Sequence, residues 1–560
     1  MLSKKTLFGA LLALFFVHTT FAQFPKTRFT GSVSNREETL LKKPNKTDSE
    51  ELTRLIDVVN GFNNGGTIKI PAGNYSLGNI KLKSNVHIAI DKDAIITLED
   101  GEKLVFKIGS RENQAPIKNV KIYCDNCNTS LAMGEDNRYY NFDFSSKSPG
   151  SDARAFTIEK AENFHISDFK VTDNGTKFSV MNLIPLITGK FDPKKPEDSE
   201  RRAKAVPKKG DIINGYTTGA DYGYGLIQVQ AAINVSFKDL YSGGGVTLRL
   251  ESGAGSTYIG TKLDTDIAVM KGIEAYNIHG ANGKGSLMLS PHGRIHGSVK
   301  ARKIRSKGSA YAVEVSPGFI DREVKRNDQN VAPNRFKKGV FVGADIRDVI
   351  ATSLDNTAQI KSKDWKYYPT SIRLKNYDAF LAGPNSGEAA VTGSGVRVNV
   401  PSVIPFGYFA IDEKNEVVPD VTGPNDSRYN GRKEGDGKYN ITLRNVSSED
   451  FFSCFDDPNI DNIIYNGDAK TDYCDSPSTS ISVNQNNSFV VYPSPAKDIL
   501  YVNAKKNSTI EIYDINGTLY TSKTSDKKDT TMDIGNLRKG MYLVKIINKN
   551  DVFNKKIIVE

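Results

Sequence analysis

A short motif recurs along the chain and limits what it can fold into: asparagine, an apolar residue, any residue, an apolar residue. It appears as Asn85-Val-His-Ile, Asn119-Val-Lys-Ile, Asn163-Phe-His-Ile, Asn234-Val-Ser-Phe and Asn440-Ile-Thr-Leu. The alternation is that of a strand with one face inward and one outward. Second strands lie between these: Ala155-Phe-Thr-Ile-Glu, Leu226-Ile-Gln-Val-Gln, Val246-Thr-Leu-Arg-Leu-Glu, Ser286-Leu-Met-Leu-Ser and Tyr311-Ala-Val-Glu-Val. Helical periodicity is nearly confined to Ser49–Asn60. Short strands at a repeating period with Gly and Asn turns make a solenoid, a propeller or a sandwich. Polar residues keep to one parity and small or apolar residues to the other. That suits an all-β, right-handed parallel β-helix, whose interior stacks like on like and whose exterior offers a long groove. A helix over Thr53–Asn60, followed by the strand and turn from Asn64, is placed to cap the open end and protect the edge strand.

The ends have a different texture. Lys4 and Lys5, the apolar run Leu7–Val17 and Thr20-Phe21-Ala22 read as a secretory signal peptide over residues 1–22, too short to span a bilayer. The β-helix is expected over 23–475, an Asn/Ser-rich linker over 476–488 and a small β-sandwich over 489–560. Lys plus Arg is 75 and Asp plus Glu is 65, a net charge of +10. In an exported protein a basic excess points to an acidic partner, and a sulfated or carboxylated glycan fits that compartment better than nucleic acid. Two basic insertions, Phe191–Lys209 and Asp321–Lys338, are either sulfate-contacting lids or charged surface loops.

The cysteines are Cys124, Cys127, Cys454 and Cys474. Export permits disulfides, and Cys454 with Cys474 is the favoured pair. Cys124-Asp-Asn-Cys127 has no second pair at zinc spacing, so a local disulfide or two structural thiols are expected. No cofactor is required, and the Asp- and Asn-rich turns leave room for a structural Ca²⁺ or Na⁺ ion.

Strand parity assembles a candidate site. Ile227 and Val229 point inward, so Gln228 and Gln230 face out; by the same alternation Arg249, Glu251, Ser290, His292 and Glu314 face out. His279, His292 and His296 form a local concentration in a His-poor chain, whereas His87 and His165 occupy equivalent, structural positions in two repeats. With rungs ~4.8 Å apart, Glu251 and Glu314 would stand roughly 10 Å apart, near the ~6.5–9.5 Å of an inverting carboxylate pair. Arg249 could hold a substrate sulfate or act on the neighbouring carboxylate, and Gln230 and Glu314 are further substrate contacts.

Gly243-Gly-Gly-Val-Thr-Leu-Arg-Leu-Glu251 resembles the catalytic strand of the iota-carrageenase family of glycoside hydrolases, and the likeness covers roughly residues 30–470. It implies Glu251 as general acid, assisted by Gln228 one rung earlier and His292 on a following rung. The family places an Asp two residues after that Glu; here the position is Gly253, leaving Asp264, Asp266 or Glu314 as a base, or a loss of activity. The tail segments Val491-Tyr-Pro-Ser-Pro495, Ile510–Tyr520 and Gly540–Ile546 resemble the C-terminal sorting domain of the Bacteroidetes type IX secretion system, which implies that machinery as a partner. The expected protein is a secreted or surface-attached endo-hydrolase of a sulfated galactan. The alternatives are a hydrolase or lyase of another anionic glycan such as fucan, and a non-catalytic glycan binder. A lyase is disfavoured because no dense acidic cluster suggests a Ca²⁺ site, and a surface adhesin would carry longer, more regular repeats.

Overall fold

The computed structural model describes residues 24–187 (except 112), 203–252 (except 222–223), 269–318 (except 293) and 339–359 (except 355–356). It further describes short pieces at 399–400, 402, 406–408, 440–449 and 463–465, and most of 490–560. The signal peptide, the linker, Cys454, Cys474, Gly253, Asp264, Asp266, most of the first basic insertion and all of the second lie outside the described residues.

Two long ladders of parallel strands build the main unit. One runs from Glu37–Thr39 through Gly66–Ile70, Val86–Ile90, Ile117–Cys124, Ala161–Thr172, Lys208–Thr218, Ala232–Gly243, Ile273–Ala281 and Val299–Lys307 to Val340–Thr352 and Asn440–Glu449. The other orders ten strands: Ile80–Lys81, Phe106–Ile108, Phe156–Ile158, Met181–Leu183, Ile227–Val229, Val246–Glu251, Gly285–Ser290, Tyr311–Val315, Phe406–Tyr408 and Ile463–Tyr465. Consecutive turns of chain alternate between the ladders, which is the right-handed parallel β-helix expected from the repeat.

The asparagines explain the corners. Asn85, Asn119, Asn163 and Asn234 have φ of 59°, 57°, 58° and 54°, in the left-handed region that Asn tolerates. A second column of such residues follows five positions later: Asp168, Asn214, Asp239, Asn277, Lys303, Asp348 and Asn445. Each bends one long strand into two faces, so every turn of the helix is three-sided. Side chains stitch the columns along the axis. Asn119 donates to Asn85 at 2.8 Å and Asn163 to Asn119 at 2.6 Å, while Asn277 donates to Asp239 at 2.6 Å.

Inside, like stacks on like. Ile68, Ile88, Ile122, Ile166 and Ile212 align in register and are fully buried. Phe142, Phe156 and Phe169 pack edge to face with centroids 5.3 Å apart. Each such side chain removed from water is worth about 1.5–3 kcal/mol. Helix Asp48–Asn60 closes the first turn with Leu52, Leu55, Ile56 and Val59, and Thr47 and Glu50 form a capping box at its start. Cys124 and Cys127 are disulfide-bonded.

On one outer face, His87, Lys121, His165, Asp211, Ser236 and Glu274 align, and residues 26–30 cross it. Asp211, fully buried, accepts the backbone N–H groups of Arg28 and Phe29, and Glu274 accepts that of Lys26. Phe29 packs against both His87 and His165. Burial lowers both histidines to a pKa of about 4, so they are neutral structural residues.

Residues Asp475–Glu560 form a separate compact unit. It holds one antiparallel sheet of three strands, Val490–Tyr492, Ile499–Asn503 and Asp529–Asp533. A second sheet has four strands in the order Leu519–Thr524, Thr509–Asp514, Gly540–Asn548, Asp551–Val559. Leu500, Val502, Ile510, Ile512, Val544, Ile546 and Ile557 make its own core.

Candidate active site

The ten-stranded ladder carries one straight outward row. In register it reads Lys81, Lys107, Thr157, Asn182, Gln228, Arg249, Met288, Glu314. Each is the middle residue of an apolar–polar–apolar triplet such as Phe106-Lys-Ile, Phe156-Thr-Ile, Met181-Asn-Leu or Ile227-Gln-Val, apart from Lys81 at a strand end and the apolar Met288. Lys81, Lys107, Thr157 and Asn182 were missed from the sequence, although the triplets are a signal that finds them. Asn182 is 5% exposed, and its Oδ1 has no partner among the described residues.

Glu251 ends the strand Val246–Glu251, two residues beyond Arg249 on the same face. The strand is aimed by the glycines before it. Gly244 and Gly245 have φ of 96° and 61°, and a Cβ on them would lie 2.3 Å from Ala220 O and 2.2 Å from Tyr224 O. That link joins the strand ending at Gly243 to the one starting at Val246 with two intervening residues.

Three of the expected residues meet at Glu251. Gln228 Nε2 donates to Glu251 Oε2 at 3.2 Å, and Arg249 Nη2 makes a close ion pair with the same oxygen. His292 Nε2 lies 3.5 Å from Oε1. The Glu251 and His292 side chains are 12% and 11% exposed. His292 reaches back through a left-handed backbone (φ 50°) after Pro291, held where Gly339 N donates to His292 O at 2.7 Å. The Arg249 guanidinium lies 5.4 Å from the Tyr224 ring centroid, a contact the sequence did not suggest. Gln230 is half-buried just past the end of its strand.

The other two clustered histidines are elsewhere. His296 is fully buried beneath the site: its Nδ1 accepts from Met270 N at 3.0 Å, so its Nε2–H donates to Ser252 Oγ at 2.6 Å. Burial drives its pKa well below the usual range, which keeps it neutral. His279 lies on the other ladder, bonded to Asn277.

Glu314 corrects an expectation. It faces away from the helix interior, but it is fully buried, with Lys284 Nζ at 3.1 Å and Ser316 Oγ at 2.6 Å. Its register partner is Met288, whereas that of Glu251 is Ser290, so the two carboxylates are offset along the strands as well as across them. Both parities of Gly285–Ser290 and Tyr311–Val315 are buried. Alternation tells which way a residue points but not whether further chain covers it. Glu314 is therefore no open substrate contact. Among the described residues, no group of three or more His, Cys, Asp or Glu is arranged to hold a metal, and no helix is long and apolar enough to cross a membrane.

The main unit is a parallel β-helix with a carboxylate held by Gln, Arg and His on its outer face, and comparisons with known proteins say what it resembles. The iota-carrageenase of Zobellia galactanivorans is 26% identical over 403 residues, covering 63% of this chain and 75% of that one. The iota-carrageenase of Alteromonas macleodii is 29% identical over 296 residues, 49% of this chain and half of the other. A solved iota-carrageenase complexed to iota-carrageenan fragments shares the fold, with a TM-score of 0.55 at 19% identity over 78% of this chain and 93% of that one. Residues 490–560 match the secretion system C-terminal sorting domain. The main unit is thus similar in sequence to iota-carrageenases and shares their fold. The sorting domain marks the chain for type IX secretion, as a secreted or cell-surface protein.

Proposed function

We propose that this protein is a secreted endo-acting hydrolase of a sulfated galactan of the iota-carrageenan type, with Glu251 as proton donor to the leaving sugar oxygen. The observation that carries this is the convergence of Gln228, Arg249 and His292 on Glu251, two residues along its strand from the row that begins with Lys81 and Lys107 and passes through Arg249. The row supplies cations for sulfates and, through Thr157, Asn182 and Gln228, hydrogen-bonding groups for hydroxyls.

The Arg249 ion pair and the proton compete for the same carboxylate oxygen. A general acid needs the proton, so Arg249 must be drawn off before the reaction. A substrate sulfate is the natural competitor, because the guanidinium fork suits it. Binding of the correctly sulfated sugar thereby readies Glu251. His292, on the other oxygen, holds the carboxyl in position. The mechanism we favour is inverting, with the base carboxylate drawn from the segment after Glu251, where Asp264 and Asp266 lie. Proton NMR of the first product anomer tests it: inversion predicts a newly formed end of opposite configuration to the cleaved bond, and a retained configuration would refute it. Purified chain incubated with iota-, kappa- and lambda-carrageenan, agarose and fucoidan should release reducing ends from iota-carrageenan. Release from fucoidan alone would move the substrate to a fucan.

A further inference from the structure

The second half of the bent strands carries another outward row, on a different sheet from Glu251. Five neighbouring strands align Lys170, Tyr216, Tyr241, His279 and Arg305. Their chain neighbours Phe169, Leu240, Ile278 and Ile304 are buried in the core, so the row faces out. The rings of Tyr216 and Tyr241 stack with centroids 4.4 Å apart and planes 8° from parallel. Tyr139 closes the far side of Tyr216 at 5.7 Å, and Lys170 Nζ lies 5.8 Å from the Tyr216 centroid.

Among the described residues the other side of Tyr241 is open. His279, next in register, turns its ring to Asn277 at 2.8 Å and makes no ring contact with Tyr241 among the described residues. The gap is a hollow lined by Tyr241, His279, Arg305, Ser306, Lys307 and Glu449. Arg305 and Lys307 are exposed, and neither has an ion-pair partner among the described residues. Lys170 and Tyr139 in turn border a second hollow with Lys92 and Asn141. With rungs ~4.8 Å apart, the row spans about 19 Å.

A ring that is apolar on its face and polar at its tip suits a sugar, which is apolar on its own face and polar around its edge. Exposed Arg and Lys beside it suit a sulfate. We propose that this row is a second glycan-binding site, which grips a stretch of sulfated galactan against Tyr241, Arg305 and Lys307 while the Glu251 groove works on another stretch. The proposal rests on the substrate class proposed above. Its benefit is effective concentration: a polymer held at one site is presented to the other.

The test uses the full secreted chain carrying Glu251→Gln, run in native gels cast with increasing iota-carrageenan, and the active chain on iota-carrageenan oligosaccharides too short to reach both sites. Tyr241→Ala, and separately Arg305→Ala with Lys307→Ala, should weaken polymer retardation about tenfold and leave oligosaccharide turnover unchanged. The exposed Arg–Lys variant carries the test if Tyr241→Ala does not fold. Unchanged retardation in the folded variants overturns the second site, as does a fall in oligosaccharide turnover that tracks the loss of binding. A parent chain that neither cleaves nor is retarded by iota-carrageenan defeats the substrate class, and this proposal with it.

Discussion

Lys284 and Glu314 are 1% and 0% exposed and 3.1 Å apart, an ion pair closed off from water beside the Tyr311 ring. Removing one partner of such a pair leaves a buried charge uncompensated, at a cost of about 3–5 kcal/mol. Lys284→Met should lower the thermal unfolding midpoint of the main unit, and adding Glu314→Leu should restore most of the loss. A single variant as stable as the parent would mean the pair is solvated. A pH prediction belongs here too. His87 and His165 have native pKa values of about 4, below the ordinary 6.5. Their folded pKa is depressed, so the unfolded chain binds more protons between those values, and stability falls as pH drops from 6.5 to 4. Unfolding followed by circular dichroism should show that slope, and His165→Gln should flatten it; an unchanged slope would assign the acid sensitivity to other groups. That Arg249 and Gln228 share the outward face of Glu251 was legible because strand parity needs only local alternation, whereas His292 lies past its strand in a left-handed backbone that parity does not describe. Glu314 was misread because alternation gives the direction of a side chain and not its burial, and here the carboxylate is shut off from water with Lys284 and Ser316.

The strands themselves were legible in part. The Asn85, Asn119 and Asn163 corners were visible because one residue type recurs, but Lys209 fills the equivalent place in the next rung and breaks the pattern. The second column, from Asp168 to Asn445, went unread because it mixes Asp, Asn and Lys. Physically the position asks only for a tolerable left-handed backbone, and several residue types meet that demand. Asn277→Val should therefore cost about 1–3 kcal/mol, whereas Asn277→Gly, which keeps the backbone and loses only the side-chain bonds to Asp239 and His279, should cost less. Equal midpoints for the two variants in urea unfolding would show that backbone strain is not what the corner resists.

At the scale of the whole molecule, the chain divides into two units with separate cores, Met1–Cys474 and Asp475–Glu560. The tail matches an export module and has a core of its own. A chain ended after residue 475 should keep the activity of the full-length protein on glycan and lose type IX export in a host that has that machinery. Loss of glycan cleavage on truncation would contradict this division of labour.

We propose above that Glu251 donates the proton that breaks the glycosidic bond. The direct measurement is reducing-end release from iota-carrageenan by the parent and by Glu251→Gln, an isosteric change that removes the acid and keeps a hydrogen-bonding side chain beside Gln228 and His292. With Glu251 as the donor, the parent releases reducing ends and the variant loses at least about a hundredfold, with polymer binding retained. Cleavage by Glu251→Gln at the parental rate would contradict it.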